Sequence, residues 1–230
     1  MIFQISILLI LNFIFSPAQE DLYKEKRESM VKNQIENRGV KDEVVLKAMR
    51  NVKRHLFVPE NRISDAYLDR PVPIGYGQTI SQPYIVGYMT EVIKPKAGFK
   101  ILEVGTGSGY QAAVLAEIVK EVNTIEIIPG LGNPAAERLK KLGYNNVKVK
   151  IADGYDGWKE NGPYDAIVVT AVADYVPPPL LEQLKDGGKM VIPIGSPFMT
   201  QMLTLVEKKG KKITTQNLLP VVFVPFTRNK

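Results

Sequence analysis

The sequence predicts an α/β fold: a doubly wound, mainly parallel, Rossmann-like sheet, with helices before it and an antiparallel edge after it. Three observations carry this expectation. After Lys94, short apolar runs alternate with helical stretches, the rhythm of parallel strands joined by crossover helices. A glycine-rich turn, Gly105-Thr106-Gly107-Ser108-Gly109, separates the first such run from the helix that follows it, which is where open α/β sheets bind their ligands. The length of 230 residues suits one well-buried domain and leaves little for a second.

The elements follow in order. No charged side chain precedes Glu20, and the apolar run Ile5 to Phe15 is followed by Ser16-Pro17-Ala18, small residues of the kind a signal peptidase reads. Residues 1–18 are therefore expected to be a signal peptide that directs export to the periplasm, and residues 19–230 a single catalytic domain. The run is too short for a stable membrane span. The alternative is a cytoplasmic protein starting at Met30. Asp21 to Gly39 reads as a charged helix stopped by glycine, and Asp42 as the cap of a helix over Glu43 to Asn51. Residues 53–83 are rich in Pro, Gly and polar groups and read as irregular, before a helix over Pro83 to Ile93.

Then come strand Ile101 to Val104, helix Tyr110 to Val119, strand Val122 to Ile128, helix Asn133 to Leu142 and strand Val147 to Ile151. Strand Tyr164 to Thr170, helix Pro179 to Leu184 and strand Gly188 to Ile194 complete the alternation. Met202 to Glu207 and Leu219 to Val224 supply two late strands with no clear helix between them, hence the antiparallel edge.

Composition narrows the chemistry. With no cysteine and a single histidine, His55, there is no thiolate nucleophile and no metal site is expected. The net charge of +6 is scattered along the chain rather than striped, so no nucleic-acid partner is expected.

The turn runs Gly-x-Gly-x-Gly, not the Gly-x-Gly-x-x-Gly of dinucleotide folds. A carboxylate at the end of the second strand, Glu126, can accept both hydroxyls of an adenosine ribose. Asp153-Gly154, after the third strand, places an acid and an amide where an adenine edge could be read. Glu103, Gly105, Gly107, Ser108 and Gly109 complete a candidate cofactor set around the turn.

Two further stretches are specific. Gly75-Tyr76-Gly77-Gln78-Thr79-Ile80-Ser81-Gln82-Pro83-Tyr84 and the Leu102 to Tyr110 turn resemble the protein-L-isoaspartate O-methyltransferases, a family of class I methyltransferases. The Tyr164 to Ala171 strand, Leu184-Lys185-Asp186-Gly187-Gly188 and Phe223-Val224-Pro225 extend the resemblance, which spans about Met30 to Thr227. It implies S-adenosyl-L-methionine as cofactor. The implied acceptor is the free α-carboxylate of L-isoaspartyl residues in damaged proteins and peptides, whose methylation initiates repair. A monomer is expected. It assigns Ser81, with Thr79, to the catalytic site, and Gln78, Thr79, Ile80, Ser108, Glu126, Asp153, Gly154 and Thr227 to the cofactor.

The alternatives are a methyltransferase of another acceptor class and a non-catalytic module that binds the same cofactor. Base methyltransferases usually hold the extruded base with an (Asn/Asp)-Pro-Pro-Tyr segment after the fourth strand. Here that place reads Thr170-Ala171-Val172-Ala173.

Overall fold

The computed structural model describes residues 17–228 apart from Phe198, and of residues 17–22 the backbone only. Most of the expected signal peptide lies outside the described residues. Helix α1 (Pro17–Ser29) runs into a wider π turn, Met30–Ile35, and a 3-10 turn, Glu36–Arg38, which ends at Gly39. Helix α2 (Glu43–Asn51) is capped as expected, the Asp42 side chain accepting from Val44 N at 2.9 Å.

Residues 53–83 hold more structure than the composition suggests. Two 3-10 turns lead into a hairpin of β1 (Val72–Gly75) and β2 (Gln78–Ile80). Strands of four and three residues with Pro73 inside are too short for a period-two signal. The hairpin hands the chain to α3 (Pro83–Val92), which starts with proline at its first turn.

The main sheet has seven strands in the order β5-β4-β3-β6-β7-β8-β9. The parallel part comprises β3 (Lys100–Val104), β4 (Glu121–Glu126), β5 (Val147–Ile151), β6 (Tyr164–Val169) and β7 (Leu184–Ile194). Helices α4 (Tyr110–Ala116), α5 (Pro129–Lys141) and α6 (Pro178–Gln183) lie between these strands in the chain. The chain enters at β3, winds outward to β5, then returns to place β6 on the other side of β3. That reversal opens a crevice at the carboxyl ends of the strands.

Alternation sorts the strand residues between two cores. Ile101, Val122, Ala166, Val168 and Val191 pack with α3, α4 and α5 on one face. Leu102, Val104, Ile125, Ile167, Val169, Met190 and Ile192 pack on the other, with Leu180 of α6.

Several boundaries differ from expectation: α4 ends at Ala116 rather than Val119, β4 at Glu126 rather than Ile128, and β7 begins at Leu184 rather than Gly188. Helix α5 begins at Pro129, four residues earlier than its sequence suggests, and contains Gly130, Gly132 and Pro134. Both glycines sit where a side chain would crowd a neighbour. A Cβ on Gly130 would lie 2.1 Å from the Tyr76 hydroxyl, and one on Gly132 would lie 2.3 Å from Ile151 Cδ1. At the edge, β8 (Gln201–Lys209) pairs antiparallel with β9, which spans Lys212–Val221 rather than Leu219 to Val224. A tight turn at Gly210 extends the pairing through polar residues such as Thr214 and Gln216, which carry no apolar period.

Candidate active site

A cleft sits at the carboxyl ends of β3 to β6, with the glycine turn as its floor. Gly105 N and Thr106 N both donate to the Ile125 carbonyl, at 2.8 and 3.2 Å, tying the turn to β4. Thr170, just past β6, ties it from the other side: its hydroxyl donates to Gly105 O at 2.8 Å.

Glu126 ends β4 and is 6% exposed. Its Oε2 accepts from Gly107 N at 2.7 Å and its Oε1 from Ile128 N at 3.0 Å. The second bond turns Ile127 and Ile128 away from the sheet, which is why β4 stops at Glu126. Two amides thus fix the carboxylate, and each oxygen keeps a lone pair for a further donor. A vicinal diol is the ligand that such a carboxylate matches.

Of the residues singled out in the sequence, Gln78, Thr79, Gly105, Gly107, Glu126, Gly154 and Thr227 line this cleft together. The other expected residues lie elsewhere. Ile80 is 4% exposed and joins the core beneath the hairpin. Ser108 faces a neighbouring hollow, where its carbonyl accepts from Arg138 Nη1 at 2.9 Å. Gly109 packs against Leu139, so its contribution is to let α5 approach the turn.

Glu103 is also displaced from its expected place. It pairs in register with Thr124 on the face packed by α3 and α4, is 0% exposed, and neither oxygen has a hydrogen-bond partner among the described residues. Burial pushes its pKa up to about 8, opposed by the Thr124 hydroxyl and reinforced by the charge of Glu126. It lies beneath the turn and does not line the cleft.

Asp153 stands at the cleft margin with both oxygens engaged. Oδ1 caps the short turn after β5 by accepting from Tyr155 N at 3.0 Å, and Oδ2 pairs with Arg228 Nε at 2.7 Å. The Arg228 guanidinium lies 3.7 Å from the centre of the Tyr155 ring. What this strand end offers the cleft directly is Gly154, which is buried.

Ser81 opens on a second hollow, lined by Gln82, Ile85, Thr200 and residues 220–224. Thr79, Thr170 and Val224 line both hollows, so the two adjoin along those three residues. Sequence reasoning gave no role to Thr170 or to Val224, Pro225 and Phe226, which wall the cleft. The last three reach it because Val172 N donates to Val224 O and Phe226 N to Val172 O, each at 2.9 Å. Phe223-Val224-Pro225 was a visible motif, but its contact with Val172, just past β6, spans about fifty residues of sequence.

The lining is chemically selective. Glu126 is the one charged side chain among the residues lining the two hollows; neither carries a lysine or an arginine. A pyrophosphate would meet a carboxylate with no cation to offset it, whereas a cationic nucleoside would meet a complementary charge. Gly105 and Gly107 leave the cleft open where a Cβ would approach Thr170 and Ile74. A ribose acceptor, a bare-backbone cradle and apolar walls from Val104, Ile125, Ile127 and Phe226 fit S-adenosylmethionine.

Comparison with known proteins agrees with this geometry. Residues 25–230 match the family described as Protein-L-isoaspartate(D-aspartate) O-methyltransferase. A protein-L-isoaspartate O-methyltransferase of Opitutus terrae is 54% identical over 213 residues, covering 93% of this chain and 91% of that protein. One of Nitrosospira multiformis is 58% identical over 212 residues, covering 91% and 90%. A beta-aspartate methyltransferase of Plasmodium falciparum, solved in complex with S-adenosyl-L-homocysteine, superposes with a TM-score of 0.76 at 30% identity, covering 88% of this chain and 99% of that one. With the family pattern matched across the sheet, the hairpin and the C-terminal wall, this chain belongs to the protein-L-isoaspartate O-methyltransferase family.

Proposed function

We propose that methyl transfer takes place where the two hollows meet, with the cofactor on the Glu126 side and the acceptor carboxylate on the Ser81 side. The reaction is the family's: methylation of the free carboxylate of L-isoaspartyl residues at the expense of S-adenosylmethionine. The observation that carries the site assignment is the shared wall of Thr79, Thr170 and Val224 between an acidic cleft and an uncharged hollow.

S-adenosylmethionine, when bound, supplies a methyl group on a sulfonium that is its own leaving group. The chain's task is placement. Glu126 accepts from the ribose, the turn between Gly105 and Gly107 lets the backbone approach closely, and Gln78, Gly154 and Thr227 complete the enclosure. On the acceptor side, an α-carboxylate with a pKa of about 3.5 is already ionised at neutral pH, so no general base is required. No carboxylate or imidazole lines the Ser81 hollow. Ser81 donates its hydroxyl to the carboxylate and orients it, and Thr79 borders the transfer path. The wall residues exclude water.

The test uses paired peptides and radiolabelled cofactor. L-isoaspartate differs from L-aspartate by one methylene in the main chain, which moves the free carboxylate relative to the peptide backbone. A displacement of about 1 Å lowers the rate on the order of a hundredfold, so the L-aspartyl peptide should be a very poor acceptor. Equal labelling of both peptides would remove the Ser81 hollow as the acceptor site.

Among the described residues no helix is long and apolar enough to cross a membrane. The apolar run before Ser16 supports export with removal of the leader. Mass spectrometry of the native protein is expected to find an N-terminus near Gln19 or Glu20; a product beginning at Met30 would exclude export.

A further inference from the structure

Arg54 heads the fully buried side chains by size, at 0% exposure. Among the described residues it pairs with no carboxylate, and its Nη1 has no hydrogen-bond partner. An unpaired buried cation is costly, and a neutral side chain of similar volume would fill the space at lower cost. What the guanidinium offers instead is a rigid fork.

The fork joins segments that must agree in position. Nε donates to Ala66 O at 2.6 Å and Nη2 to Ser81 O at 2.8 Å. Ala66 precedes the hairpin and Ser81 follows it, so one side chain ties both ends of the segment that carries Gln78 and Thr79. Its guanidinium carbon Cζ lies 4.8 Å from the centre of the ring of Tyr110, the first residue of α4 after the glycine turn. Arg54 thereby touches the acceptor loop and the helix that follows the cofactor turn.

We infer that Arg54 is a positioning residue for methyl transfer: by holding the Ser81 carbonyl from behind, it sets where the Ser81 hydroxyl meets the acceptor carboxylate. This rests on the assignment of Ser81 to the acceptor. Arg54 acts through Ser81 and touches neither reactant.

The experiment is a double-mutant cycle on the full chain with the L-isoaspartyl peptide, alongside cofactor affinity by calorimetry. Arg54→Lys keeps the charge but cannot span both carbonyls, and is expected to lower kcat roughly tenfold to hundredfold through misplacement of Ser81. Cofactor Kd should stay within about twofold, because the cleft itself is intact. In a Ser81→Ala background the same change should lower kcat by less than about twofold, since the group being positioned is gone.

If the two losses multiply, or if cofactor Kd rises as much as kcat falls, Arg54 is a general structural residue and the inference fails. If Ser81→Ala alone leaves kcat unchanged, the acceptor-site assignment fails first and the Arg54 role with it. Arg54→Gln, which keeps one amide for the Ser81 carbonyl, carries the same cycle should the lysine variant not fold. Loss of cooperative melting in both variants would make Arg54 a folding residue and overturn the proposal.

Discussion

Gly105→Ala is expected to weaken S-adenosylmethionine binding by about a hundredfold. Gly105 has φ +103°, a backbone conformation open to glycine and strained for alanine. Its added Cβ would also stand 2.3 Å from Thr170 Oγ1, the atom that donates to the Gly105 carbonyl. The variant must therefore rotate the turn, displace Thr170, or both. Backbone strain of about 1–3 kcal/mol together with a lost hydrogen bond of about 1 kcal/mol gives the hundredfold scale. The turn also presents Gly107 N to Glu126, so its rotation loosens the ribose acceptor as well. Gly98→Ala is the control, because a Cβ there meets nothing within 4 Å. Calorimetry that finds Gly105→Ala within about threefold of the parent chain would show that this turn is not the cofactor cradle.

Glu126→Ala removes the one charged group of the cleft, and its expected cost is tenfold to hundredfold in cofactor Kd. Losing a hydrogen bond to a charged group costs roughly 1.5–3 kcal/mol. The variant also strips Gly107 N and Ile128 N of their acceptor, so a modest loss of thermal stability should accompany the weaker binding. Glu126→Gln should not rescue it, because one carboxylate oxygen becomes an amide that faces a backbone donor. At saturating cofactor, kcat should be nearly unchanged, since Glu126 does not line the acceptor hollow. An equal fall in kcat at saturation would place Glu126 in the transfer step and contradict its assignment to the ribose.

These two changes act on a site that was only partly legible in the chain. The turn, Glu126 and Gly154 could be found because each lies at a strand end, where short-range pattern and loop chemistry coincide. Asp153 and Glu103 were legible as residue types, but their surroundings were not. Which face Glu103 takes depends on strand register, and Asp153 meets Arg228 across 75 residues of sequence. Thr170 and residues 224–226 carry no chemical flag of their own, and become walls of the cleft through two backbone hydrogen bonds.

The boundaries missed follow the same division. Helix α5 starts early despite Gly130 and Gly132, whose missing side chains leave room for Tyr76 and Ile151, contacts no local propensity encodes. The β1–β2 hairpin is shorter than any period, and β9 is held by pairing with β8 rather than by its own polar residues. By itself the sequence determined the α/β class, the parallel alternation, the glycine turn at the strand ends and the absence of a thiol nucleophile. These depend on periodicity and on backbone chemistry, which act over a few residues. Only the tertiary structure decided that two hollows share one wall, that Glu103 lies beneath the floor, and that Arg54 stands unpaired behind Ser81. Burial and long-range hydrogen bonding join residues that are distant in the chain, and those forces exist only once the chain has closed on itself.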